Sequence, residues 1–341
     1  MTYDVTIGIP VFRTEAYIRQ ALGSALAQTF PSIEFLVVDD GGNDGTMDIV
    51  KELQQTHPRG RHLRILTHEK NLGVAASRND IIDQACGEYL YFMDSDDLIT
   101  PHTIATLIGI VRKYQVQIAF GSYEKIEVSG RREVYQYPAL HVSGPDELAC
   151  FAYRKYAGIQ ASACNYLVSK SILRDSGLRF IDTSFWEDFV FTFDLVTLVD
   201  SAALTPEITY TYCCHEGSLS HYQARTEISK QEILSNAKAI EHLKQTSRAL
   251  YNKVYYPQRC LQIAKTDFYI ACHILKRRKH IKPSVSWQEL RTIVRHPATW
   301  HQIRHFKQAR WPNLALYLLA RLPSPLCVMA VWTIAKVKKL I

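Results

Sequence analysis

The chain lacks several signatures that would assign it to a class at once. Its 341 residues carry no repeat period and no low-complexity tract, which excludes fibrous, solenoid and disordered architectures. The eight cysteines form no C-x-x-C pair, and the adjacent Cys213 and Cys214 cannot easily bridge one another. That argues against a structural zinc site and against a disulfide framework, and leaves buried reduced thiols as the simplest reading. The N-terminal "MTYDVTIGIPVF" has no basic region followed by a long apolar stretch and reads as a buried strand. No secretory signal is therefore expected, and the protein is expected in the cytoplasm. No apolar run reaches the roughly twenty residues of a membrane span. No recognition motif for nucleic acid appears, so no such partner is expected.

Charge is present but uneven. From Lys276 to the C-terminus there are fourteen Lys or Arg against one acid, Glu289, a net +13, so the rest of the +7 chain carries −6. Basic clusters are drawn to anionic lipid heads, nucleic acid or acidic polymers. The end of this tail, "NLALYLLARLPSPLCVMAVWTIAKVKKLI", holds two apolar runs interrupted by Arg321, Pro323 and Pro325, with Trp311 and Trp332 near the ends. Short apolar helices flanked by Arg and Lys fit binding in the plane of an anionic cytoplasmic leaflet. The competing reading is an ordinary helical subdomain or a homo-oligomer interface.

The N-terminal body shows a different pattern. "DVTIGIPVF", "IEFLVVDD", "HLRILTHE" and "EYLYFMD" are short runs rich in β-branched and aromatic residues, each followed by a polar turn and a helical pattern. Helices are expected in "TEAYIRQALGSALAQ", N-capped by Thr14, in "NDGTMDIVKELQQ" and in "GVAASRNDIIDQA". Four alternations of strand and helix predict an open, doubly wound α/β sheet over residues 1 to about 120. In such sheets ligands bind beyond the C-terminal strand ends. Here those ends carry Pro10, Asp39, Asp40 and the acids Asp94, Asp96 and Asp97.

A rim crowded with carboxylates calls for a cation or a hydrogen-bonding ligand. N-capping accounts for single acids such as Asp44 or Asp97 but poorly for all of them. Hard oxygens in an Asp-x-Asp arrangement suit Mg2+ or Mn2+, which leaves coordination positions for substrate phosphates. The motif alone is weak, because phosphatases, nucleotidyltransferases and many loops carry one.

"IPVF", "LVVDDGGNDGT", "NLGVAASRN" and "GEYLYFMDSDD", in this order and spacing, resemble the family 2 glycosyltransferases over roughly residues 3 to 220. The resemblance implies a GT-A fold: an open mixed, mainly parallel sheet flanked by helices. It places a glycosyltransferase domain at residues 1–220, with a nucleotide-binding half at about 1–120 and an acceptor half at about 121–220. Residues 221–341 would then be a basic helical region. It also implies a nucleotide-sugar donor, a divalent cation, inversion at the anomeric carbon, and a glycan or lipid-linked acceptor in bacterial surface-polysaccharide assembly at the inner face of the membrane.

By the same resemblance Pro10 and Val11 border the base pocket, Asp40 bonds a base N–H such as that of uracil, and Asp39 supports the loop or meets ribose. Asp94, with Ser95, faces the ribose or metal shell, and Asp96 is the direct metal ligand. Asn71, Arg78 and Asn79 lie where the family contacts sugar or diphosphate. In "FWEDFVF" Asp188 is expected as the base that deprotonates the acceptor hydroxyl, with Glu187 as the other candidate and Trp186 as a wall of the acceptor pocket. Acids at a helix start are also favoured by the helix dipole without any catalytic meaning. In "TYCCHEGSLSH", His215 and Ser218 fit a phosphate-facing stretch, although Cys213 and Cys214 stand where relatives often carry arginine.

Two rival functions remain. A sugar-phosphate nucleotidyltransferase would normally show a glycine-rich basic loop, which "IPVFRTEAY" lacks. A catalytically silent, membrane-docked partner of a polysaccharide assembly complex would have no reason to keep Asp40, Asp96 and Asp188 together.

Overall fold

A computed structural model describes residues 2–154, 159–183, 185–216 and 227–340. The chain forms two compact units. Met1–Leu148, Ala161–Asp182 and Leu195–Tyr222 build the first, and Ala149–Gln160, Thr183–Asp194 and Gln223–Ile341 the second.

The first unit begins with the expected alternation: β1 (Tyr3–Val11), α1 (Ile18–Leu26), β2 (Ile33–Asp39), α2 (Thr46–Thr56), β3 (Leu63–Thr67), α3 (Val74–Gln84) and β4 (Gly87–Phe92). These strands pair in parallel in the order β3-β2-β1-β4. Val5 to Val11 of β1 and Ile33 to Val38 of β2 are buried without a break, as strands covered on both faces must be. Helix α3 packs on β1 and β2.

The chain continues through β5 (Leu98–Ile99), α4 (Thr103–Tyr114), β6 (Ile118–Ile126), β7 (Arg132–Tyr135), β8 (Leu140–Ser143), α5 (Glu147–Arg154), β9 (Tyr166–Ser169), α6 (Lys170–Ser176), α7 (Glu187–Leu195) and β10 (Ser201–Cys213). Strand β9 joins β4 and β6 antiparallel to both, so the sheet becomes mixed and reaches ten strands along β3-β2-β1-β4-β9-β6-β10-β5, with β7 on β6 and β8 on β10. The C-terminal end of β10 lies beside β5, pairing Tyr210 with Ile99. This pairing sets Tyr210 to Cys213 against the acids that follow β4.

Thr14 does not cap α1. The helix starts at Ile18, after a turn in which Tyr17 and Ile18 both donate to the Thr14 carbonyl at 2.9 Å. The Thr14 N–H is instead anchored on Thr46 Oγ1 at 3.0 Å, so the residue ties the end of β1 to the start of α2.

The second unit is mainly helical. A short parallel pair, β11 (Ile228–Ser229) and β12 (Ile281–Lys282), accompanies α8 (Lys230–Thr246), α9 (Tyr256–Lys276), α10 (Trp287–Ile293), α11 (Trp300–Arg304), α12 (Arg310–Arg321) and α13 (Ser324–Val337). Capping boxes at Ser229, Ser286 and Thr299 start α8, α10 and α11. Pro323 stands at the N-cap of α13 and Pro325 in its first turn, where proline is tolerated, so the chain breaks between α12 and α13. The unit is centred on Arg259 of α9, whose guanidinium is fully buried. It pairs with Asp194, donates to Ser247 Oγ at 2.8 Å and to the Phe193 carbonyl at 3.1 Å, and lies 4.6 Å from the Phe193 ring centroid. A buried cation needs this many partners, and they recruit residues 183–194 into a unit otherwise made of later sequence. All eight cysteines are free thiols, four of them buried.

Candidate active site

Two acidic groups lie along the C-terminal edge of the parallel strands. The first follows β2. Asp40 continues the strand by donating its N–H to the Val11 carbonyl at 2.9 Å, which fixes it beside the buried Pro10 and Val11. Its carboxylate is 3% exposed, yet well supplied with donors. Oδ1 accepts the Leu72 N–H at 2.8 Å and Oδ2 the Gly73 N–H at 2.9 Å. His68 Nδ1 lies 2.7 Å from Oδ1, and His68 Nε2 lies 2.7 Å from Asp80 Oδ2 on α3.

Ionised carboxylates can only accept, so an imidazole held between two of them satisfies both when it is protonated and donates at both nitrogens. Burial would lower the His68 pKa, but the hydrogen bonds and charges of Asp40 and Asp80 outweigh it and hold the pKa above its ordinary value. The loop these bonds secure includes the exposed Asn71. It approaches Gly41 so closely that a Cβ there would lie 3.3 Å from the Asn71 nitrogen, and Gly41 has φ +72°. Gly73, at φ +92°, turns the chain into α3, a conformation that side chains rarely adopt. Asp39 closes its own turn by accepting the Gly41 N–H at 3.1 Å.

The second group follows β4 and is differently balanced. Arg78 of α3, 4% exposed, pairs its Nη2 with Asp94 Oδ1 at 2.8 Å and lies 5.4 Å from the Phe180 ring centroid. It is therefore a packed cation rather than the solvated arginine usual on a helix surface. Asp96 Oδ2 meets His215 Nε2 at 2.7 Å, and the His215 ring stacks on Tyr17 at 4.2 Å. His215 Nδ1 is buried without a hydrogen-bond partner among the described residues. Ser95, between the two acids, is buried.

Asp97 is not a helix cap. It is 1% exposed and accepts the Tyr210 hydroxyl at 2.6 Å and the Cys213 N–H at 2.8 Å. Its pKa is pushed well above the usual carboxylate range by burial and by the charges of Asp94 and Asp96. Burial, followed by the charge of Asp94, also raises Asp96. Asp44 is not the N-cap of α2 either, a place taken by Gly45, although its side chain accepts the Thr46 N–H at 3.3 Å.

Among the described residues, no group of three or more His, Cys, Asp and Glu side chains is arranged to hold a metal unaided. Asp94 and Asp96 nevertheless offer hard oxygens that repel one another. That donor set suits Mg2+ or Mn2+, ions usually held through one or two carboxylates with the remaining positions taken by water and phosphate.

The remaining candidates divide between the units. Asn79 spends its amide on the Phe180 backbone, donating to the carbonyl at 2.9 Å and accepting the N–H at 2.8 Å. Trp186, Glu187 and Asp188 belong to the second unit, where the two acids open α7. Glu187 is 7% exposed, and Asp188 Oδ1 accepts the Phe189 N–H at 2.6 Å. Trp186 has φ +73° and packs edge-on against Phe189 at 5.5 Å. A left-handed conformation at so bulky a residue costs about 1–3 kcal/mol and is typical of functional loops. Ser218 lies outside the described residues.

Sequence reasoning missed His68, Asp80, Tyr17 and Tyr210. A signal existed for His68, which directly follows β3 on the ligand-binding edge, where a buried Asp40 needs donors.

A parallel sheet turned mixed, with polar loops gathered on one edge, defines an open α/β class. Solved structures specify it further. S. aureus TarS in complex with UDP-GlcNAc matches with a TM-score of 0.58 at 19% identity, covering 94% of this chain and 90% of that one. The mannosyltransferase PcManGT from Pyrobaculum calidifontis, in complex with GDP-Man and Mn2+, matches at 0.51 and 17%, covering 94% and 86%. The fold is GT-A. Residues 6–177, just over half of the chain, match the family profile described as Glycosyl transferase family 2, and the chain belongs to that family.

Curated relatives include glycosyltransferase GlyA of Streptococcus pneumoniae, 35% identical over 119 residues, which are 35% of this chain and 16% of that protein. Another is the UDP-Glc:alpha-D-GlcNAc-diphosphoundecaprenol beta-1,3-glucosyltransferase WfgD of Escherichia coli, 32% identical over 124 residues, 36% of this chain and 47% of that one. The match thus spans less than half the length of either relative.

Proposed function

We propose that the protein transfers a hexosyl or N-acetylhexosaminyl group from a UDP-sugar, with inversion, to a hydroxyl of a glycan or lipid-linked glycan in surface-polysaccharide biosynthesis. The observation that carries this reading is the pairing of Arg78 with Asp94 beside Asp96, a cation and hard oxygens on the ligand edge of a family 2 chain. UDP-GlcNAc bound to TarS and the donor and acceptor in the WfgD name support the choice of UDP and of a lipid-linked acceptor.

In this reading Pro10, Val11 and Asp39 border the base and ribose. Asp40 holds the 71–73 loop and has one Oδ2 lone pair left for a base N–H. Arg78, Asn71 and His215 face the sugar diphosphate, with Ser95 at the floor, while Asn79 keeps the Phe180 backbone in place beneath Arg78. Asp96, with Asp94, would hold Mg2+ or Mn2+. When bound, that ion neutralises charge developing on the leaving diphosphate. Arg78 donates to the same diphosphate, and Asp188 takes the proton from the acceptor hydroxyl as it attacks the anomeric carbon in one displacement. Glu187 is the alternative base, and Trp186 offers a flat apolar wall to sugar C–H groups. Residues 1–220 carry the chemistry, and the basic helices of 221–341 keep the enzyme at the inner face of the membrane.

A panel of nucleotide sugars with Mn2+, read by mass-spectrometric detection of released nucleotide, tests the reading. UDP should appear with at least one UDP-sugar, and Asp188→Asn should lower transfer about 10²-fold or more while donor affinity stays within a few-fold. No nucleotide release from any donor by folded protein would overturn it, and normal transfer by Asp188→Asn would remove Asp188 as base.

A further inference from the structure

Each of the last two helices leaves an apolar side exposed. Among the described residues twenty-one large hydrophobic side chains are exposed, and seven of them fall between Trp311 and Val337, less than a tenth of the chain. They are not scattered. On α12, Trp311 (72% exposed) and Leu318 (52%) are seven residues apart, two helical turns, and therefore share a side. On α13, Leu326, Met329 and Val337 are 50%, 63% and 79% exposed, with Trp332 beside them, while Cys327, Val328, Val331 and Ala335 turn inward. Helix α13 packs against α9 and α10, so its buried side is already used. An outer side this apolar has no such use within the unit.

Cations frame the face. Lys336 Nζ lies 3.9 Å from the Trp332 ring centroid, Arg310 lies 5.5 Å from Trp311, and Arg321 lies 5.0 Å from Tyr317. No acidic residue follows Glu289. Among the described residues no helix is long and apolar enough to cross a membrane. Aromatic rings paired with Lys and Arg around short apolar helices fit an element that lies in the headgroup region.

A second copy of the chain is the other possible cover. A self-pairing face would bring Lys336, Lys338, Lys339 and Arg321 against their own equivalents, with no acid on either helix to offset them, and such repulsion opposes an isologous contact. We propose that the exposed side of α12 and α13 is a docking surface for an anionic lipid bilayer. Met329, Leu326, Trp332 and Trp311 enter the interface while the surrounding Lys and Arg meet the headgroups. This names the surface behind the membrane association proposed above and rests on that reading; donor cleavage in solution does not depend on it.

The test uses the full chain, donor hydrolysis in solution as the check of folding, and vesicles of phosphatidylcholine doped with phosphatidylglycerol. Wild type should sediment with them at low salt and keep a measurable fraction bound at high salt, because apolar insertion is not screened. The double substitution Leu326→Ser with Met329→Ser should weaken partitioning about tenfold or more at both salt levels. Replacing Lys336, Lys338 and Lys339 with Ala should weaken it at low salt only. If wild type fails to bind, the membrane reading falls. If wild type binds and the Ser variant binds equally, the membrane reading stands but this face is the wrong one. If the Ser variant instead abolishes a concentration-dependent dimer seen by sedimentation velocity, the surface is a subunit contact and the lipid proposal is overturned.

Discussion

Two acidic clusters share one edge of the sheet, and they are solved in opposite ways. Around Asp40, the protein supplies its own donors: two backbone N–H groups and an imidazole of raised pKa that is itself held by Asp80. Around Asp94, Asp96 and Asp97, the chain supplies less positive charge than negative, and burial with mutual repulsion raises Asp96 and Asp97. A carboxylate saturated from within stabilises the fold. One left short of positive charge costs stability and gains it back only from something that binds. The contrast supports the proposed reading, in which the β2 end scaffolds the donor site and the β4 end is where an external cation and phosphates would complete the charge balance.

The largest effect that separates the two is on turnover. Asp96→Ala should lower sugar transfer on the order of 10³-fold, and excess EDTA should do the same to the wild type, because a lost charge at the leaving group acts in the transition state. In metal-free protein the same substitution should leave the melting temperature unchanged or raise it. Full turnover in EDTA, or a clear fall in melting temperature, would mean that the β4 cluster is structural after all.

Asp40→Ala should behave in the reverse manner. It strands Leu72 N–H, Gly73 N–H and one His68 nitrogen in a part-buried site, and each unsatisfied donor costs up to about 1–3 kcal/mol, less what water recovers. A loss of several kcal/mol in denaturant unfolding is expected, together with weaker UDP binding by calorimetry, since the loop bearing Asn71 would no longer be fixed. Stability close to wild type with UDP affinity alone reduced would instead make Asp40 a ligand contact and little more.

This division was only partly legible in the sequence. The alternating strands and the acids at their ends are local patterns and are legible from spacing. The partners of those acids are not local. Asp97 meets Tyr210, 113 residues away, because β5 pairs with β10, and nothing in the periodicity near Asp97 distinguishes that burial from a helix cap. Thr14 misled for a related reason: its partner Thr46 lies on another element. The motif picks out Arg78, but its burial beside Phe180 depends on a loop about a hundred residues later and has no local signal.

The smallest expected effect probes the imidazole that makes the Asp40 cluster self-sufficient. Because the folded-state pKa of His68 is raised, its contribution to stability is fully present below the unfolded value of about 6.5 and is lost as pH rises through the folded value. The Asp80 side of the clamp is half exposed and screened, so most of the effect comes from the buried Asp40 side. His68→Ala should therefore cost about 1–2 kcal/mol in urea unfolding at pH 6 and distinctly less at pH 9, with the wild type losing the difference between those pH values. Weakened UDP binding at high pH should accompany it in the wild type and be missing in the variant. A pH-independent penalty would show that His68 packs there as a neutral ring, and the β2 cluster would then be held by its backbone donors alone.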